Sequence, residues 1–269
     1  GYSFDVVLNP NLTSSTDVVR VFRTDAKLKP FILQEEKSPT VTVIGAGNKP
    51  RHADAHTGNG GYSGATWGKS PASSSTPLVK VQQQGWSFYN ILFECPNTSA
   101  GIQFFRDNGA GDAERDGAHG TVKGCRFDGG VNGGQEGIEV SGGSGFFRFE
   151  DNLFRGLDAG IKSTVGAGAG TNSWWEIIGN RFEQNVRHIF VTADRCFIKD
   201  NISGVFTTAG FALSAGTVGF NKVHGNYLSG DYDAGYVAGT SDDWCGNYSM
   251  DVTSGEVGAE GLTTAAPVA

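Results

Sequence analysis

The sequence is poor in much of what soluble folds rely on. It holds one methionine, eight prolines and four cysteines in 269 residues. Hydrophobic residues reach only 38%, below the globular norm. No run is long and apolar enough to span a membrane. Basic residues are short too, 21 against 28 acidic ones, for a net charge of −7. That balance argues against nucleic acid or an anionic membrane as partner, since both reward a basic patch. Cys95, Cys125, Cys196 and Cys245 show no CxxC spacing, so no zinc signature is present. The chain opens on Gly1 instead of methionine, which predicts a processed product or a fragment with no signal peptide left to read.

What is abundant is glycine, 41 residues, roughly twice ordinary usage. With little proline and no collagen period, those glycines are expected to serve turns and tight stacking. The 18 Phe, 5 Trp and 7 Tyr exclude a disordered chain.

A repeat organises the rest. Segments share an apolar residue, two variable residues, Asn, one variable residue and an apolar residue: Phe149 to Phe154, Ile177 to Phe182 and Val223 to Leu228, with looser copies Ile198 to Ser203 and Trp244 to Ser249. Earlier copies, Phe88 to Phe93 and Val122 to Phe127, carry Ile91 and Cys125 at the Asn position. The key positions 91, 125, 152, 180, 201, 226 and 247 are separated by 21 to 34 residues. A second pattern falls between them, mostly Gly followed by alternating residues, as in Gly101-Ile102-Gln103-Phe104 and Gly137-Ile138-Glu139-Val140. Two ladders that stay in phase while the step drifts predict coils joined by loops of variable length. The runs are short and alternating, with Gly, Asn and Asp at their ends, so they read as strands. The predicted fold is all-β: a single-stranded right-handed parallel β-helix over residues 41–250. Residues 1–40 read as an N-terminal cap, 45–78 as one long loop and 251–269 as a C-terminal cap or tail.

The register predicts an interior stack of Phe93, Phe127, Phe154 and Phe182. Beside it stands a ladder of Asn152, Asn180, Asn201, Asn226 and Asn247 at a strand-to-strand bend, with the amides satisfying one another from coil to coil. No two cysteines share a column, so free thiols are expected.

The alternating runs, the Asn ladder and the Phe stack resemble the pectate-lyase-like superfamily of right-handed β-helices, and Val41 to Gly47 resembles the opening strand and turn of that fold. Within it, the character is similar to β-helix proteins on the surface of tailed bacteriophages. The resemblance implies fold more than activity, because this scaffold carries lyases, hydrolases, adhesins and virion proteins. The Arg-x-Pro-x-x-Arg run of pectate lyases is missing. His119-Gly120 and Asp242-Asp243 match fragments of hydrolase motifs, but in reversed order and about five coils apart. No catalytic residue is assigned.

Each remaining constellation also has an ordinary structural explanation. The loop over 106–120 carries Asp107, Asp112, Glu114, Asp116 and His119 and reads as a solvated surface loop, with calcium binding or acid–base chemistry as alternatives. No metal or cofactor is expected. Six residues before successive key positions lie Gly85, His119, Phe146, Trp174, Arg195 and Phe220. Phe146, Trp174 and Phe220 are therefore candidate exposed aromatics for a glycan or a subunit contact, unless a local bend buries them. A further outward column, Leu92, Arg126, Leu153, Arg181, Ile202, Tyr227 and Tyr248, suits packing against a copy of the chain. Glycine-rich pieces such as 166–170 lack the Lys-Ser/Thr of a phosphate loop and read as turns.

The expectation is a non-catalytic structural or binding protein on the surface of a bacteriophage-like particle, a capsid decoration or short tailspike-type subunit. It would be located on the virion, beside other virion proteins, with surface polysaccharide as a possible ligand. The resemblance implies a homotrimer. A polysaccharide lyase or glycoside hydrolase, and a secreted adhesin, are the alternatives.

Overall fold

The computed structural model describes residues 18–21, 31–33, 42–45, 65–67, 77–82, 84–95, 98–105, 118–129, 135–142, 145–164, 172–213, 219–229, 235–239, 241–249, 256–257 and 262–263. Among these the strands form three long sheets, of ten, nine and eight strands, plus one small pair. Pairing within the long sheets is parallel, apart from the last two strands of the chain. Each coil from Thr42–Gly45 to Tyr236–Val237 places one strand in each sheet before the next coil begins. The coil Arg148–Glu150, Leu153–Arg155, Ala159–Thr164 is representative. The result is a parallel β-helix with three faces, here called first, second and third in chain order.

The bend from first to second face is made by one residue with left-handed backbone: Asn90, Gly124, Asp151, Gly179, Asp200, Gly225 and Gly246, with φ between 55° and 68°. Gly, Asn and Asp are the residues that reach this region at least cost. The next residue turns inward, and from Asn152 onward it is an asparagine that is fully buried. The Asn180 amide shows how the ladder is wired. Its Oδ1 accepts from the backbone N–H and the side-chain N–H of Asn152, both at 3.0 Å. Its Nδ2 donates to Asn201 Oδ1 at 3.1 Å and to Phe149 O at 2.8 Å. Asn152, Asn201 and Asn226 repeat the arrangement, and Asn247 closes it with a donation to Val223 O. A buried amide left unpaired costs about 1–3 kcal/mol, so the ladder is as much a requirement as a gain.

Two residues on, the register aligns Phe93, Phe127, Phe154, Phe182, Ser203 and Leu228. The four phenylalanine rings stack at 4.9, 4.9 and 5.0 Å within 10° of parallel. That spacing is the strand-to-strand distance of a sheet, about 4.8 Å. Gly137 is required beneath this stack: a Cβ there would lie 2.6 Å from both the Phe154 ring and Gly160 O. On two successive coils the pattern breaks, and the breaks compensate. His188 stands where glycine is expected, and Ser203 where the next phenylalanine is expected. The His188 ring fills the gap, stacked on Phe182 at 5.4 Å. Asn185 Nδ2 lies 3.1 Å from its Nδ1, and its Nε2 lies 2.9 Å from Gly204 O. This arrangement suits the neutral tautomer with hydrogen on Nε2, and burial pushes the pKa down to about 4.

One stretch departs from the expected outline. Ala65–Trp67 is a strand paired with Ile91–Phe93, inside the stretch expected to be a loop. Val18–Val21 and Phe31–Leu33 pair in parallel with Thr42–Gly45 and Val79–Val81. Glu256–Val257 and Leu262–Thr263 lie antiparallel on the last coil and so end the parallel stacking. All four cysteines are free thiols. Among the described residues no helix is long and apolar enough to cross a membrane.

Candidate binding edge

The bend from third to first face is also made by single left-handed residues, but of another kind. Gly85 opens the column, and His119, Phe146, Trp174, Arg195, Phe220 and Ser241 follow, with φ from 52° to 62°. All but Ser241 belong to the outward column read from the sequence. A bulky side chain in this region costs roughly 1–2 kcal/mol relative to glycine. Their neighbours Trp86, Phe147, Trp175 and Cys196 point inward and are buried, so the bend forces the residue before each of them outward. Phe146, Trp174 and Phe220 are 55%, 52% and 63% exposed.

The side chains form a column along the edge. His119 and Phe146 stack at 4.7 Å and 4°. Phe146 and Trp174 are parallel within 4° at 6.5 Å. The Arg195 guanidinium lies over the Trp174 ring at 5.6 Å. Such contacts contribute about 0.5–1.5 kcal/mol each, which offsets much of the backbone strain at 146 and 174. Phe220 has no ring or cation partner among the described residues, so its strain is not offset.

Between this column and the first face runs a groove of about 850 Å³, lined by Phe146, Trp174, Arg195 and Phe220 on one side and Arg148, Glu176, Phe197 and Lys222 on the other. The second row stands two residues after the first on every coil, the next outward position of the pleat. Arg148 pairs with Glu176 at 2.9 Å and with Glu150 at 2.8 Å. Lys123 also reaches Glu150, at 2.7 Å, and hydrogen bonds from Lys123 and Arg148 hold the Glu150 carboxyl below its ordinary pKa. Arg195 pairs with Asp194 at 2.7 Å. Lys222 is exposed and has no ion pair among the described residues.

The other candidates fall as follows. Asp107, Asp112, Glu114 and Asp116 lie outside the described residues. His119 belongs to the aromatic column, while Asp242 is buried at the far end, where it accepts from Asn221 Nδ2 at 2.8 Å. Burial raises the Asp242 carboxyl pKa. The two motif fragments are five coils apart in the strand register. In the column after the first bend, Leu92, Arg126 and Leu153 are buried, while Tyr227 and Tyr248 are exposed and stacked at 5.6 Å. Among the described residues no three potential metal ligands cluster.

Sequence reading missed the first-face row of Arg148, Glu176, Phe197 and Lys222. Its signal was the constant offset of two from the aromatic column. It also missed a second polar column, Asn221 and Asp242, which replaces the inward aromatics at the C-terminal end. There Asn221 Oδ1 accepts from Cys196 N at 2.9 Å.

No protein-family model matches the chain, and no curated protein matches it. Among solved structures, DFA-IIIase from Arthrobacter chlorophenolicus A6 in complex with GF2 aligns with a TM-score of 0.35 and 13% identity, covering 92% of this chain and 75% of that one. The same enzyme without its lid aligns with a TM-score of 0.33 and 12% identity, covering 87% and 78%.

Proposed function

We propose that this chain is a non-catalytic binding or structural subunit displayed on the outside of a bacteriophage-like particle, and that its contact surface is the aromatic edge with the groove beside it. The supporting observation is the placement of bulky residues in left-handed backbone. Glycine would make the same bend at lower cost, as it does along the first-to-second edge. A row of half-exposed aromatics held in strained conformations is what a surface selected for contact looks like, because strain concentrates where function requires it. The virion setting and homotrimeric assembly rest on the resemblance in the repeat pattern.

Native mass measurement and particle imaging test this reading. A symmetric assembly in which the edge is accessible or engaged with a partner is expected. A monomer that releases new reducing ends or unsaturated products from polysaccharide would replace the proposal with an enzyme.

A further inference from the structure

The two bends that flank the first face match each other height by height. On each coil the first-face strand begins just after a residue of the aromatic edge and ends just before a residue of the first-to-second edge. Trp174 and Gly179 bracket Glu176–Ile178, Arg195 and Asp200 bracket Phe197–Lys199, and Phe220 and Gly225 bracket Lys222–His224. A cation therefore stands level with a carboxylate, and two large rings stand level with glycines, which leave room for a close approach. Just beyond those glycines, on the second face, lie exposed Arg181 and the exposed Tyr227–Tyr248 stack. A guanidinium suits the Trp174 ring, and Tyr227 suits Phe220. Phe146, level with Asp151, is the one mismatch.

Height matters because a rotation axis parallel to the solenoid sets each coil of one copy beside the same coil of the next. About such an axis the aromatic edge set against itself would bring Arg195 onto Arg195. Set against the other edge, it brings Arg195 onto Asp200. Both side chains are half exposed, and each already has a neighbour of opposite sign: Asp194 at 2.7 Å from Arg195 and Lys199 at 3.4 Å from Asp200. The joint would thus hold four charges alternating in sign, flanked by rings. Trp, Tyr and Arg are the side chains that dominate protein contacts. The strain at Phe220, which no ring or cation offsets within the chain, would be offset on association.

Resting on the reading of the aromatic edge as the contact surface, we infer that its partner is the first-to-second edge of a second copy of this chain, set parallel and in register. Each copy carries both edges, so the joint is heterologous and closes into a ring about the shared axis.

The test is native mass and sedimentation of the full chain over a range of concentrations, with charge exchange across the joint. A concentration-dependent ring is expected. Arg195→Glu or Asp200→Arg alone should weaken association tenfold or more, with circular dichroism showing the fold retained. Both changes in one chain should restore it, because every joint takes one residue from each edge. As a second measurement, Phe220→Cys together with Tyr227→Cys should link copies through a short bis-maleimide, while either change alone, like the wild-type chain with its own four thiols, should not. A chain that stays monomeric, or a double exchange that fails to recover, overturns the inference. If Phe220→Cys alone links copies, the edge meets itself: the inference is wrong and the contact surface stands. If copies associate and Phe220→Asp with Trp174→Gly leaves that association unchanged, both fail.

Discussion

Two edges of the same prism solve one geometric problem with different residues. Both turn the chain through a single left-handed residue. The first-to-second edge uses Asn90, Gly124, Asp151, Gly179, Asp200, Gly225 and Gly246, and from Asp151 to Gly225 it alternates Asp with Gly. The alternation has a packing cause: a Cβ on Gly179 would lie 2.8 Å from Asp151 Oδ1, and one on Gly225 2.7 Å from Asp200 Oδ1. The third-to-first edge uses His119, Phe146, Trp174, Arg195 and Phe220. One edge minimises backbone cost and supports the buried amides beside it. The other accepts that cost and carries rings into solvent. The difference separates a bend that serves packing from one whose rings face solvent, without appeal to any motif.

The comparison breaks most visibly at the amide next to the structural bend. Asn180→Ala removes the acceptor of the Asn152 backbone N–H and one of the two acceptors of Asn152 Nδ2, which keeps Val122 O, and should cost about 2–6 kcal/mol, summing roughly 1–3 kcal/mol for each of the two donor hydrogens. Chemical denaturation measures it. A smaller loss fits only if water enters to replace the amide.

Acid offers an interior control that neither edge supplies. The His188 pKa is about 4 in the folded chain against an ordinary 6.5. Above pH 6.5 the ring is neutral folded or unfolded, and stability is complete. Between 6.5 and 4 the unfolded chain takes up a proton that the folded chain refuses. Stability therefore falls by about 1.4 kcal/mol per pH unit, some 3 kcal/mol in all, and levels off below pH 4. His188→Gln should remove that part of the slope, as read from denaturation midpoints at several pH values.

Within the structural edge, Gly225→Ala should cost about 1–2 kcal/mol from its φ of 68° alone, and more from the Asp200 contact. At the aromatic edge the sign reverses. Phe220→Gly should raise stability by about 1 kcal/mol, because strain is relieved and no ring contact is lost. Trp174→Gly should be near zero, since the same relief is cancelled by loss of the Phe146 and Arg195 contacts. Thermal melts of the two variants side by side would sharpen the contrast. A large loss for Phe220→Gly would make that ring structural.

The interior was the legible part of the sequence. Phe93 to Phe182 and Asn152 to Asn247 recur at fixed offsets because each coil must place the same shape over the one below. The aromatic column was legible as outward-facing for the same reason. Its backbone strain was not, because a left-handed residue betrays itself in sequence only when it is Gly, Asn or Asp. The groove was hidden for a related reason: Arg148, Glu176, Phe197 and Lys222 share a place in the pleat but no common chemistry. The exchange at His188 and Ser203 looked like two independent lapses in the repeat, and only the stacked ring reveals them as one event.

The asparagine column has a direction. In every link from Asn152 to Asn247 the nitrogen of one amide faces the oxygen of the next, so the side-chain dipoles add along the axis, and each bond polarises its neighbours. A solenoid whose coils touch only their nearest neighbours would fray from its ends. A column of aligned dipoles loses strength throughout when any link opens. The coils threaded by it should therefore melt together as one cooperative unit, and hydrogen exchange at the amides of residues 152 and 226 should report the same opening energy.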